Sequence, residues 1–319
     1  MSTFNGCIRE YPILAIDRFI PNESKQYFIL SHVHKGNNFY LFFILNIKLI
    51  AIQDHTHGLE NLNFNEKVYC TEQTALLLPF MEKRTSKQLM YSHLKELMVP
   101  VPYYETIVFE ISQQNSIELT FLPANHCPGA ALILIKENNG TVLYTGDMRA
   151  EAIFVTDKLD YIKKFQIKNL YMDTTCCYAE KRNFISKIAS VDLLSQLIQS
   201  YSDHHHIYLD CWTVGYEEVW MAVAETFKEK IHVSRQRYTL YCRMNLLFKS
   251  ILTIDPTSTR FHSCRWDEPC RAHENNMISI HFTPNENTRP IKYIPTKQSK
   301  QLLMTDLPYD CKPLEQMVK

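Results

Sequence analysis

The sequence predicts an α/β protein in which a strand-rich first part is followed by a mixed α/β block. Three observations carry this. Short apolar runs that stop abruptly at polar residues fill the first half, and such runs suit buried strands whose C-terminal ends present side chains. The pair Asn139-Gly140 between two of them is a hairpin signal. From about residue 184 the apolar spacing lengthens to three and four, which is helical.

In chain order, Ile13-Leu14-Ala15-Ile16 and Tyr27-Phe28-Ile29-Leu30 open the strand series. Ile117 to Leu122, Ala131 to Ile135 and Val142 to Tyr144 continue it. Ile185, Ile188, Leu193, Leu194, Leu197 and Ile198 then mark one helix, Val219 to Lys228 a second and Leu246 to Leu252 a third. No internal repeat interrupts the order.

A chain of 319 residues can bury a full core and house two domains, or one with a large insertion. Hydrophobic residues at 45% and charged residues at 21% make it globular rather than disordered. Lys+Arg and Asp+Glu balance at 34 each, so a nucleic-acid partner would need a local basic groove. Ten Cys without a regular framework suit a reducing compartment, as thiols or metal ligands. The start Met-Ser-Thr-Phe-Asn-Gly has neither basic nor apolar character, so no signal peptide is read. The stretch Phe39 to Ile52 is too short to span a bilayer and carries Asn46 and Lys48, so no membrane is expected.

Four clusters carry chemistry: Ser31-His32-Val33-His34, Asp54-His55, Asn125-His126-Cys127-Pro128-Gly129 and Thr145-Gly146-Asp147. His32 and His34 follow an apolar strand two residues apart, which in extended backbone puts both imidazoles on one side. His126 follows the strand ending at Leu122, and Asp147 the strand ending at Tyr144. Three strand ends thus offer the nitrogen and oxygen ligands that zinc prefers.

Ile16-Asp17-Arg18-Phe19, the His32-His34 segment, Leu122 to Gly129, Leu143 to Asp147 and Met172-Asp173-Thr174-Thr175 follow one another in an order that resembles the metallo-β-lactamase/β-CASP nucleases. The likeness is greatest to their DNA cross-link repair branch and runs to about residue 283. It implies a metallo-β-lactamase αββα sandwich at 1–175 and an α/β β-CASP domain at 176–285. The tail 286–319, with Pro290, Pro295, Pro308 and Pro313, reads as irregular. The family's returning strands and its Phe-Ser-x-His-Ser motif are expected to be missing.

The family signature His-x-His-x-Asp-His is broken here, because Gly36 follows Lys35 where Asp is expected. Without residues 36–53 the chain reads Ser-His-Val-His-Lys-Asp-His-Thr-His-Gly-Leu, which restores it. Of those 18 residues, 15 are Phe, Tyr, Ile, Leu, Asn or Lys, types that A/T-rich codons encode, and twelve are apolar, unlike an exposed loop. The segment reads as a retained intron or gene-model error. Closing a loop of that length costs only about 2.6 kcal/mol, so entropy alone does not decide. If the segment is translated, Asp54 and His55 reach His32 and His34 only when its two ends lie together.

The resemblance implies that His32, His34, His126 and Asp147 hold a first zinc ion, and Asp54, His55 and the shared Asp147 a second. Asp17 and Asp173 would orient ligand histidines or stabilise the metal environment. The substrate implied is DNA, as damaged ends, hairpins and overhangs, with end-joining or cross-link repair proteins as partners in the nucleus. An RNA-processing nuclease on the same fold and an inactive zinc-binding relative stay open.

His232, His262, Cys264 and Cys270 form a second set, with two ligand types two apart in His262-Ser263-Cys264. The set resembles the structural zinc site of the family's β-CASP domain, a closed site that would staple rather than catalyse. His204-His205-His206 reads as a solvated turn, and Cys176 and Cys177 as plain thiols. Tyr216 stands where the family often has lysine.

Overall fold

The computed structural model describes residues 5–21, 25–34, 55–82, 88–137, 140–157, 160–172, 186–211, 214–264, 270, 277–283 and 300–305. Two compact units divide the chain, one built on Met1–Arg182 and the other on Asn183–Tyr309. The boundary expected at residue 175 and the inserted segment 36–53 lie outside the described residues.

The first unit opens with β1 (Leu14–Ile16), β2 (Tyr27–Ile29), β3 (Val68–Thr71) and β4 (Met98–Val101), which pair in that order as a parallel sheet. Helix α1 (Glu72–Leu77) follows β3 directly; the Thr71 side chain caps it by accepting from the Thr74 N–H. A second sheet runs β5 (Thr106–Ser112), β6 (Asn115–Pro123), β7 (Ala131–Glu137) and β8 (Gly140–Tyr144), all antiparallel. The expected hairpin is present, with Glu137 opposite Gly140. Helix α2 (Ala152–Asp157) then leads to β9 (Ile167–Tyr171), which adds to β8 in parallel.

Alternation along β7 shows how these layers are held. Ala131, Ile133 and Ile135 pack with Leu14, Ile16 and Ile29 of the first sheet. Leu132 and Leu134 point the other way, against Phe154 of α2 and Ile162. A strand buried on both faces must be apolar throughout, which is why Ala131 to Ile135 shows no polar alternation. Sheet packs on sheet with a helix outside: a metallo-β-lactamase-like α/β arrangement.

In the second unit, α3 (Lys187–Gln199) precedes β10 (His206–Asp210), and α4 (Glu217–Phe227) precedes β11 (Ile231–His232). Helices α5 (Arg235–Met244) and α6 (Phe248–Ile251) lead to β12 (Leu252–Thr253), β13 (Phe261–His262) and β14 (Met277–Thr283). The third expected helix is thus shorter than its apolar run, because Leu252 turns into a strand. On α3, Leu194 and Ile198 are buried while Ile188 and Leu193 face solvent, so the apolar period marked the helix but overstated its buried stripe.

One expectation needs correction. Lys300–Thr305, within the tail read as irregular, forms β15 and pairs in parallel with β14 over six positions. The four prolines masked the short apolar run Leu302-Leu303-Met304, which needs only a sheet edge to become a strand. The sheet order is β12-β11-β13-β10-β14-β15. Among the described residues no helix is long and apolar enough to cross a membrane.

Trp220 of α4 is fully buried in this unit's core, its ring edge-on to Tyr241 at 4.8 Å. Trp220→Ala is expected to cost about 3–5 kcal/mol, read as a lower urea midpoint by circular dichroism.

Candidate metal centre

Both sheets of the first unit deliver ligands to one place. β2 ends at Ile29, and the extended residues after it carry Ser31, His32 and His34. The loop after β6 carries His126, and the loop after β8 carries Asp147. The backbone N–H of Ala131 donates to Ser31 O at 2.9 Å, tying the two sheets together at the level of the site.

The His126 loop is held from beneath. Gly129 has φ +83° and its carbonyl accepts from the Thr71 and Thr74 hydroxyls at 2.7 and 3.1 Å. A Cβ at Gly129 would lie 2.6 Å from Thr74 Oγ1, so glycine is the residue that admits this clamp. Asn125 Nδ2 donates to Arg149 O at 3.0 Å and links the His126 loop to the Asp147 loop.

Donor atoms of His32, His34, His126 and Asp147 all lie within 4.8 Å of one another. His126 Nε2 is 2.8 Å from His34 Nδ1, and Asp147 Oδ2 is 3.6 Å from His32 Nε2 and 3.7 Å from His126 Nε2. His55 completes the cluster from the other side: its Nε2 is 3.1 Å from Asp147 Oδ1 and its ring centroid 4.2 Å from that of His32. His55 thus stands beside His32 and Asp147 with residues 36–53 present in the chain. Asp54 and Asp173, with Thr174 and Thr175, lie outside the described residues.

Asp17 organises the cluster without spending itself on it. Its Oδ1 accepts from the Ser31 N–H at 2.7 Å. Its Oδ2 accepts from the Ser31 hydroxyl at 2.6 Å, the Tyr144 hydroxyl at 2.7 Å and His55 Nδ1 at 2.8 Å. With its Oγ–H given to Asp17, Ser31 accepts from His32 Nδ1 at 2.9 Å. His32 is thereby held in the tautomer whose Nε2 lone pair faces Asp147, and His55 is turned so that its Nε2 faces the same carboxylate. Those two Nε2 atoms and Asp147 Oδ1 are buried with no hydrogen bond, an arrangement that costs energy unless a cation satisfies it.

The electrostatics divide the cluster. Burial opposes charge on His55, but the carboxylates of Asp147 and Asp17 outweigh it and hold its pKa well above the ordinary value, so His55 must give up a proton before it can ligate a cation. Burial, with His34 and His32 beside it, pushes His126 well below the usual range. Burial would raise Asp147, yet the His55 and His32 imidazoles keep its carboxyl well below the usual carboxylate range. A neutral histidine and an ionised carboxylate are the forms that ligate a metal.

Two supporting residues, Ser31 and Tyr144, had no role assigned from sequence, although both stand inside the motifs. Only their hydrogen bonds to Asp17 show it.

In the second unit, His232 Nδ1, His262 Nδ1 and Cys270 Sγ approach one another at 3.2 to 3.4 Å. Ligand atoms about 2.0–2.3 Å from a tetrahedral zinc stand about 3.3–3.8 Å apart, so these three fit such an ion. Cys264 is not among the gathered donors; it packs beside Cys270 with Tyr208 and Met277. The reading of His206 as part of a solvated turn is overturned: it begins β10, and its Nδ1 lies 2.9 Å from His262 Nε2. A histidine run ahead of a strand gives no sign of which ring the sheet will turn inward.

No family model matches the chain. Among curated proteins it is similar to Artemis of Gallus gallus, with 29% identity over 308 residues, 94% of this chain and 41% of the relative. It is similar to Artemis of Homo sapiens at 28% over 306 residues, 88% of this chain and 41% of the relative. The human DNA cross-link repair 1A protein is 33% identical over 215 residues, covering 66% of this chain and 19% of that protein. The chain spans about two-fifths of the length of the Artemis proteins it is similar to. A solved protein of unknown function from Enterococcus faecalis V583 shares the fold, with TM-score 0.54 and 13% identity over 84% of this chain and 64% of that one.

Asp17→Asn places an amide where four donors need an acceptor. It is expected to weaken zinc binding about 10–100-fold, as measured by competition with a chromophoric chelator, with little change in circular dichroism.

Proposed function

We propose that this chain is a metal-dependent DNA nuclease acting in double-strand-break end processing or interstrand cross-link repair, in the nucleus. The carrying observation is the convergence of His32, His34, His126, His55 and Asp147, among which His32 Nε2, His55 Nε2 and Asp147 Oδ1 are buried without a hydrogen bond. Similarity to Artemis and DNA cross-link repair 1A proteins supports the substrate class.

His32, His34, His126 and Asp147 would hold the first zinc; His55 and Asp147, with Asp54, would hold a second. Bound there, zinc lowers the pKa of a coordinated water and draws charge from the phosphoryl oxygens. The chain's own residues prepare for this. Asp17, through Ser31 and directly, turns the His32 and His55 rings so that their Nε2 atoms face the site. Asp147 offers an oxygen to each side, Oδ1 toward His55 and Oδ2 toward His32 and His126, so one carboxylate serves both positions. Asp173 is assigned beside them by its motif. Residues 1–175 are assigned as the metallo-β-lactamase domain and 176–285 as the β-CASP domain, with His232, His262, Cys264 and Cys270 holding a structural zinc.

Attack by a 5′ exonuclease and by a structure-selective endonuclease use the same centre, so substrate form must be tested. The purified chain is expected to cleave single-stranded, overhang or hairpin DNA in the presence of zinc, with RNA of the same sequence cut more slowly. Asp147→Ala is expected to reduce cleavage to background, a loss of at least about 1000-fold. Full activity in that variant would remove the site. Stoichiometric zinc with no cleavage of any DNA form would leave an inactive relative.

A further inference from the structure

We propose that His206 is a positioning residue for the thiolate-containing metal site, acting by fixing the tautomer of His262. The inference rests on the reading of His232, His262 and Cys270 as zinc ligands and adds a residue that the ligand set does not contain.

His262 is fully buried, and each of its ring nitrogens has a different neighbour. Nδ1 stands 3.2 Å from Cys270 Sγ and 3.2 Å from His232 Nδ1, on the side where the donors gather. Nε2 stands 2.9 Å from His206 Nδ1, on the opposite edge of the ring. A neutral imidazole carries one N–H and one lone pair, and a metal takes the lone pair. If the proton sat on Nδ1, it would point at the other donors and block them. If it sits on Nε2, it has an acceptor in His206 Nδ1, and the Nδ1 lone pair is free to ligate.

The sheet register holds this pair in place. β10 and β13 run parallel with Tyr208 opposite His262, so His206, two residues earlier, projects from the same face as Tyr208. The Tyr208 hydroxyl donates to Cys264 O at 2.7 Å, which anchors the chain just past His262. His206 is not itself a ligand: among the described residues it is outside the group of converging ligand atoms, and its contact is to the far edge of His262.

The test uses the full chain and cobalt(II) as probe. A thiolate ligand gives cobalt a near-ultraviolet sulfur-to-metal charge-transfer band, which the all-His/Asp centre of the first unit cannot give, so the band reads this site alone. His206→Leu keeps bulk and removes the acceptor; His206→Asn restores one, because its Oδ1 sits close to where Nδ1 was. Zinc displacement of the band is expected to show about 10–100-fold weaker affinity in His206→Leu and near-normal affinity in His206→Asn. Unchanged affinity in His206→Leu, or equal loss in both variants, overturns the positioning role. Absence of the band in the unaltered chain overturns instead the zinc reading beneath it. Should His206→Leu fail to fold, long-range nitrogen NMR on the unaltered zinc-loaded protein decides: a proton on His262 Nε2 supports the proposal, and one on Nδ1 overturns it.

Discussion

Asp17 is the point on which the candidate metal centre turns. Its backbone sits at φ +56°, a left-handed conformation that costs a non-glycine residue about 1–2 kcal/mol. That conformation aims the carboxylate inward from the end of β1, where four donors meet it. Tyr144 reaches it from the second sheet and Ser31 from the first, so one buried charge binds both layers of the sandwich at the site. Remove it, and two hydroxyls, one amide and one imidazole lose their partner together. Charge-assisted bonds of this kind are among the stronger ones, which explains how a strained residue persists there.

Much of this was legible in the chain. The meeting of His32, His34, His126 and Asp147 was readable because side chains gathered at strand ends come with a visible mark: an apolar run that stops, then His or Asp. His55 was harder, since residues 36–53 separate it in sequence from His32 and His34, and only the fold brings it beside His32. Ser31 and Tyr144 were not readable as orienters. A serine beside a histidine and a tyrosine closing a strand are commonplace, and their roles exist only through Asp17, a contact spanning 127 residues in the case of Tyr144. His206 failed for the same reason: its partner lies 56 residues away, across a strand pairing that no local pattern announces.

The tail illustrates the opposite error. Pro-rich polar sequence speaks against regular structure, yet Lys300–Thr305 needs no internal pattern once β14 offers an open edge. Parallel pairing is a property of the receiving strand as much as of the one added. Local propensity is therefore weakest as a guide where a segment is recruited by an edge that already exists.

The two-sided burial of β7 has a consequence for the life of the chain before it is folded. Ala131-Leu132-Ile133-Leu134-Ile135 is uncharged, free of proline and strongly β-forming, the composition of an adhesive segment when it is newly made and uncovered. Lys136, Glu137 and the two-residue connection to β8 follow at once. The charged pair discourages sticking between chains, and β8, pairing from Gly140 onward, covers one edge within a few residues of synthesis. The same run that ties the two sheets of the first unit together is thus the part of that unit most in need of a rapid partner, and the sequence supplies that partner next.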